Sequence, residues 1–204
     1  MYFSVHRYDN GSFYPGFIVD RVGPLAGSPE YVGLGPGAGF SVNVGWCGSG
    51  DYGAPIMGDG DYAYVWKEVL LPMARAFQPS LIIVSAGFDA ARGDPLGDCD
   101  VTPRGYAYLT QQLMILDCPV VLALEGGYNV PSVKHCMSAS IAALCGACEQ
   151  VDPTITMHRA AATGGLSFQY EDSFRAPQIE ARQAVERTIT AQCHYWPGVF
   201  IRER

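Results

Sequence analysis

Apolar positions fall into two kinds of pattern along this chain, and each kind predicts an element. Leu81-Ile82-Ile83-Val84-Ser85 and Pro119-Val120-Val121-Leu122-Ala123-Leu124 are short, continuous runs rich in β-branched residues, the form of strands buried in a parallel sheet. Met1-Tyr2-Phe3-Ser4-Val5-His6-Arg7 is also strand-like, and Phe40-Ser41-Val42-Asn43-Val44 alternates with a period of two. From Asp61 onward the spacing changes. Tyr62, Val65, Trp66, Val69, Leu70, Met73 and Phe77 recur three and four apart and predict one apolar helix face. Pro72 should kink or end that helix, because proline lacks an N–H and clashes with the preceding turn at a cost of about 3 kcal/mol. Thr102-Pro103 reads as an N-cap followed by proline at the first helical position, with Tyr106, Leu109, Leu113 and Leu116 as the stripe behind it. A third helix is predicted from Pro131 to Leu144, burying Val133, Met137, Ile141 and Leu144, and a last one from Pro177 to Gln192.

Two glycine-rich stretches separate these elements, residues 9 to 39 and Gly45 to Gly60, both too long for hairpin turns and of the kind that often carries function. Strand and helix alternate along the rest, which predicts an α/β fold with a mostly parallel sheet flanked by helices. Residues 1–150 read as the main domain, and 151–204 as a linker, marked by Val151-Asp152-Pro153 and Gly164-Gly165, and a C-terminal helix packing on it. The sequence contains no internal repeat or low-complexity tract.

With 204 residues, 49% of them hydrophobic and only 16% charged, the chain is large and apolar enough for a sizeable core. A formal net charge of −7 argues against a phosphate-binding surface and for a basic peptide as partner, although solubility alone would also explain it. No apolar run approaches the roughly 20 residues of a membrane span. The seven cysteines are odd in number and irregularly spaced, and nothing at the N-terminus resembles a signal segment, which is the pattern of a reducing, intracellular compartment. Cys145-Gly146-Ala147-Cys148 has zinc-knuckle or redox spacing, yet no second pair follows it, so two thiols at a helix end remain the simpler reading.

Chemistry concentrates at two strand tips. The first apolar run leads into Ser85-Ala86-Gly87-Phe88-Asp89, the second into Glu125-Gly126-Gly127-Tyr128-Asn129, and open α/β sheets place their sites beyond such carboxyl ends. A carboxylate and a phenol are thereby expected at one edge. Taken singly, Asp89 would ordinarily be a turn or capping residue and Tyr128 a turn aromatic packed over the glycine pair.

Taken together with Ser4-Val5-His6-Arg7-Tyr8 and Phe13-Tyr14-Pro15-Gly16, the tips resemble the C-terminal half of a zinc-dependent histone deacetylase catalytic domain, nearest the class II branch, over residues 2 to 146, with weaker similarity in Ala191–Trp196. The resemblance implies an arginase-deacetylase type of fold with its N-terminal strands missing, and hydrolysis of acetyl-lysine in histone or other protein tails. It implies Asp89 as a zinc ligand and Tyr128 as the hydroxyl that steadies the oxyanion formed from the substrate carbonyl. Tyr14, where phenylalanine is usual, would wall the lysine tunnel. Gly126 and Gly127 would let backbone approach it, and Leu96 would sit at the rim, where glutamate would mark a polyamine-selective relative. Ser4, Val5 and Phe40 match positions that hold potassium ions. A co-regulator or a further deacetylase subunit is the implied partner, in the nucleus or the cytoplasm.

A catalytic zinc takes three protein ligands and an open position for water, and the water needs a base. The family draws two ligands from Asp-x-His and its base from adjacent histidines. The four histidines here, His6, His135, His158 and His194, form neither pattern, and His6 is expected to be a buried residue satisfied by hydrogen bonds. The 204 residues by themselves are therefore expected not to hydrolyse acetyl-lysine. Two further expectations accompany this: an abrupt start at Met1, as of a truncated gene model, and an exposed sheet face and edge prone to association.

Overall fold

A computed structural model describes residues 1–14, 27–48, 55–146 and 174–200, and the backbone alone of 157–159 and 166–168. Pro15, Gly16, Cys148, Val151-Asp152-Pro153 and Gly164-Gly165 lie outside the described residues. In chain order the elements are β1 (Tyr2–Arg7), β2 (Ser41–Trp46), β3 (Met57–Gly58), α1 (Asp59–Val65), a π-helical turn (Trp66–Leu70), α2 (Leu71–Phe77), β4 (Ile82–Ala86), β5 (Cys99–Asp100), α3 (Pro103–Met114), β6 (Val120–Leu124), α4 (Val130–Leu144), β7 (Met157–Arg159), β8 (Leu166–Phe168), α5 (Ile179–Gln192) and α6 (Pro197–Phe200). They form two compact units, one of residues 1–56, 64–78 and 177–204, the other of 57–63 and 79–176.

In the first unit β1 and β2 pair in parallel, from Tyr2 opposite Ser41 to Arg7 opposite Trp46. Val42, Asn43 and Val44 are all buried, so β2 is covered on both faces despite its alternating sequence. The polar member is satisfied: Asn43 Nδ2 donates to the Tyr31 carbonyl at 3.0 Å. Its own carbonyl accepts from Thr188 Oγ1 at 2.7 Å, and Gln192 Nε2 donates to the Ser41 carbonyl at 2.7 Å, which docks α5 along the strand. Ala181, Ala184, Val185 and Thr188 form the buried stripe of α5.

Pro72 neither ends the helix nor leaves it regular. The chain passes through five residues of π-helix, in which Leu71 N–H donates to the Trp66 carbonyl, and continues as α2 with proline in its first turn. A wider turn moves the carbonyl that the proline ring would strike, which is how helices accommodate such a residue. Leu71, Met73 and Ala74 are buried, whereas Phe77, expected on the same face, is 38% exposed. Phe77 is the last residue of α2, where the apolar face runs out.

In the second unit β4 and β6 pair in parallel, Ile82 opposite Val120 through Ala86 opposite Leu124. The two-residue strands β3 and β5 pair likewise, while β7 and β8 are antiparallel. Thr102 caps α3 as predicted, its side chain accepting from Gly105 N–H at 3.2 Å. Such a cap is worth about 1 kcal/mol. Asp59 holds the cap, accepting from Thr102 N–H and Oγ1–H at 2.7 and 2.6 Å. Helices α3 and α4 meet through Ala107, Ala139 and Ala143. That contact overturns the predicted inner face of α4: Cys136, Ala139, Ser140 and Ala143 are buried, and Met137 and Ile141 are exposed. Close helix contact selects small side chains, so residue size here outweighs hydrophobicity in choosing the face.

Candidate active site

The parallel register of β4 and β6 brings their carboxyl ends together, and hydrogen bonds continue past the strands. Glu125 N–H donates to the Ala86 carbonyl at 3.2 Å and Phe88 N–H to the Gly126 carbonyl at 2.7 Å. The two predicted tips are thus neighbouring loops at one edge of one unit. The Asp89 side chain lies against the glycine turn that leads to Tyr128. A Cβ on Gly126 would stand 2.5 Å from Asp89 Oδ2, and one on Gly87 2.9 Å from Oδ1, so both positions must lack a side chain for the carboxylate to sit there. Gly127 has φ +134°, a conformation open to glycine, and a Cβ there would lie 2.6 Å from Val133 Cγ2.

The carboxylate of Asp89 is half-buried. Loss of solvent pushes its pKa up, the negative charge of Asp94 adds to this, and the amides of Asp89 and Ala90 oppose it. Beneath the loop Phe88, Ala91 and Cys136 form a small core with Ala86, Tyr106 and Val133 around it. Tyr106 Oη donates to the Gly87 carbonyl at 3.2 Å, and burial pushes its phenol well above the ordinary range. Tyr128 is 59% exposed, held by its backbone: its N–H donates to Asp94 Oδ2 at 2.7 Å. Leu96, also exposed, sits on the same turn, its N–H donating to Asp94 Oδ1 at 2.8 Å.

Four residues that strand-tip reasoning did not assign to the site support it. They are Asp94, Tyr106, Asn129 and Ser132. Asp94-Pro95 advertised a turn, and Asn129 stands where an N-cap of α4 belongs; its Oδ1 accepts from Ser132 N–H at 3.1 Å. Nothing in the local pattern announced the longer bonds, Asn129 Nδ2 to the Gly93 carbonyl and Ser132 Oγ to the Arg92 carbonyl, both 2.8 Å.

The remaining predicted residues belong to the other unit. Tyr14 is exposed. Ser4 and Val5 are on β1, and Ser4 Oγ is hydrogen-bonded to His6 Nδ1 at 2.7 Å. Phe40 packs edge-on to Phe77 and Trp196, and its carbonyl accepts from Tyr2 N–H at 2.8 Å. His6 has both ring nitrogens satisfied, as expected, with Nε2 2.8 Å from the Gly27 carbonyl, but it is half-buried and not fully enclosed, because β1 is only partly covered along its length. Among the described residues no three His, Cys, Asp or Glu side chains gather as a metal site. Asp89 supplies one carboxylate, so this donor set by itself does not fit a zinc ion. Among the described residues no helix is long and apolar enough to cross a membrane.

Residues 1–144 match the family model described as "Histone deacetylase domain". The chain belongs to the histone deacetylase family. It is 39% identical over 200 residues to Histone deacetylase HDA1 of Candida albicans, covering 98% of this chain and 20% of that protein. A crystal structure of the HDA15 HD domain superposes with a TM-score of 0.72 at 38% identity, over 98% of this chain and 45% of that one. The structure of the histone deacetylase Clr3 superposes with a TM-score of 0.75 at 35% identity, over 98% and 28%. The α/β arrangement of parallel strands flanked by helices is accordingly the deacetylase one. This chain spans less than half of these histone deacetylases.

Proposed function

We propose that the chain is the C-terminal portion of a class II-like lysine deacetylase catalytic domain. The observation that carries this reading is the packing of the Asp89 carboxylate against Gly126 at the joined ends of β4 and β6, two residues from Tyr128. The substrate would be acetyl-lysine in a histone or another protein tail. Tyr128, an exposed residue following the glycine pair, carries the donor suited to the carbonyl oxygen as it gains charge, and such a donor acts when held near 3 Å from that atom. Gly126 and Gly127 would let backbone approach the lysine channel, Leu96 at the rim favours a peptide over a polyamine, and Tyr14 would wall the tunnel. Asp89 would be the chain's contribution to zinc. The other ligands and the general base have no counterpart among the four histidines of this sequence, so the complete reaction needs groups beyond these 204 residues. Ser4, Val5 and Phe40 keep their proposed potassium roles, and nuclear or cytoplasmic residence with a co-regulator or deacetylase subunit goes with the same reading.

The test is a chimera joining the N-terminal part of the Candida HDA1 catalytic domain to residues 1–204, assayed on an acetyl-lysine peptide. Activity is expected, with Tyr128→Phe lowering turnover by about 100- to 1,000-fold and Asp89→Asn depleting bound zinc. A folded, zinc-loaded chimera indifferent to Tyr128→Phe would refute the reading.

A second reading, a non-catalytic remnant that binds a partner, is favoured by the open face of the β4–β6 pair. There Ile83 is 67% and Val121 49% exposed, directly opposite one another in register. Stable co-purification of a partner without zinc would support this alternative.

A further inference from the structure

The carboxylate of Asp94 serves two loops at once. Oδ1 accepts from the N–H groups of Leu96 and Gly97 at 2.8 and 3.1 Å, closing the turn five residues beyond Asp89. Oδ2 reaches across to the other strand tip and accepts from Tyr128 N–H at 2.7 Å. Two further bonds run in parallel with it, from Asn129 Nδ2 to the Gly93 carbonyl and from Ser132 Oγ to the Arg92 carbonyl. Three consecutive residues of one loop, 92 to 94, are thereby fastened to the segment that carries the phenol. Tyr128 itself is exposed, and its backbone N–H is held by the Asp94 carboxylate, so the origin of its side chain depends on this bond.

We propose that Asp94 is the positioning residue for Tyr128, setting the height of the phenol above the glycine turn relative to the loop that begins at Asp89. This rests on the deacetylase reading for its purpose but not for its geometry. A carboxylate is required because both oxygens must accept. Asparagine offers one acceptor and one donor, so in Asp94→Asn the two N–H groups of the local turn retain the oxygen, and the amide nitrogen is left facing Tyr128 N–H, donor against donor.

That asymmetry supplies the test, made on the full 204-residue chain by amide exchange in heteronuclear NMR spectra, with 3-fluorotyrosine reporting on the Tyr128 ring. In Asp94→Asn the Tyr128 amide should exchange at least about tenfold faster than in the wild type and its proton should move upfield, while Leu96, Gly97 and the β4 and β6 amides keep their rates. The fluorine resonance of Tyr128 should shift and broaden at the same time. Asp94→Ala should release Leu96 and Gly97 as well. Unchanged Tyr128 exchange and fluorine signal in Asp94→Asn would overturn the proposal, and so would loss of the Leu96 and Gly97 amides together with Tyr128 in that variant. Neither result depends on activity, so the Tyr128→Phe chimera judges the deacetylase reading separately.

Discussion

His6 has both ring nitrogens engaged, and the partners decide its tautomer. A backbone carbonyl accepts only, so Nε2 carries the proton toward Gly27, and Nδ1 accepts from Ser4 Oγ–H. Burial lowers the pKa of the ring below 6.5, with the Gly27 bond opposing. The unfolded chain therefore binds more protons than the folded one as pH falls. The stabilising contribution is complete above 6.5 and is lost as pH drops through the lower folded-state value. Urea midpoints measured from about pH 7.5 to about 5.5 should fall for the wild type and fall less for His6→Gln, the difference being at most about 1.4 kcal/mol per pH unit. Equal slopes would mean that the ring titrates alike in both states. Within the candidate site a similar division between legible and hidden holds: the meeting of the Asp89 and Tyr128 loops was readable because each follows an apolar run, whereas the bond from Asp94 to Tyr128 spans 34 residues and has no local signature.

Among the elements, β1, β2, β4 and β6 were legible to within a residue or two because β-branched runs state their own period. The two-residue strands β3 and β5 are too short to have one. The π-helical turn was hidden for a different reason: it widens one turn of the helix around Pro72 without changing composition. In α4 hydrophobicity points to the wrong inner face because Met137 and Ile141 outrank alanine on any such scale, yet only alanines fit at the crossing with α3. The apolar residues left outside have a consequence at this scale. Ile83 and Val121 face solvent as a cross-strand pair, and an uncovered apolar sheet face promotes self-association. The double substitution Ile83→Lys with Val121→Glu places opposite charges in register, so the pair remains attractive while the face becomes polar. Sedimentation velocity should show the wild type associating with concentration and the double variant monomeric, with stability changed by no more than about 0.5 kcal/mol. A monomeric wild type would show that this face needs no cover.

At the scale of the whole molecule, family membership and the α/β arrangement were both recoverable from the sequence, because the strand-tip motifs occur in a fixed order and the alternation of strand and helix admits few topologies. What a complete deacetylase reaction requires is not all here, since no Asp-x-His or His-His pair occurs in the 204 residues. One buried side chain nevertheless makes the candidate site observable without substrate. Cys136 packs from α4 against Phe88 and Ala91, under the Asp89 loop, and burial, with the charge of Asp59 adding to it, pushes its thiol up to about 12. At neutral pH it is almost wholly unionised and shielded, whereas Cys145 at the end of α4 is exposed. An aromatic disulfide reagent should therefore titrate Cys145 in its first phase and reach Cys136 only when the helix lifts from the loop. In a background with Cys136 as the sole cysteine, the reaction becomes a clock for that lifting, and a zinc-loaded chimera should run it more slowly than one from which the ion has been chelated.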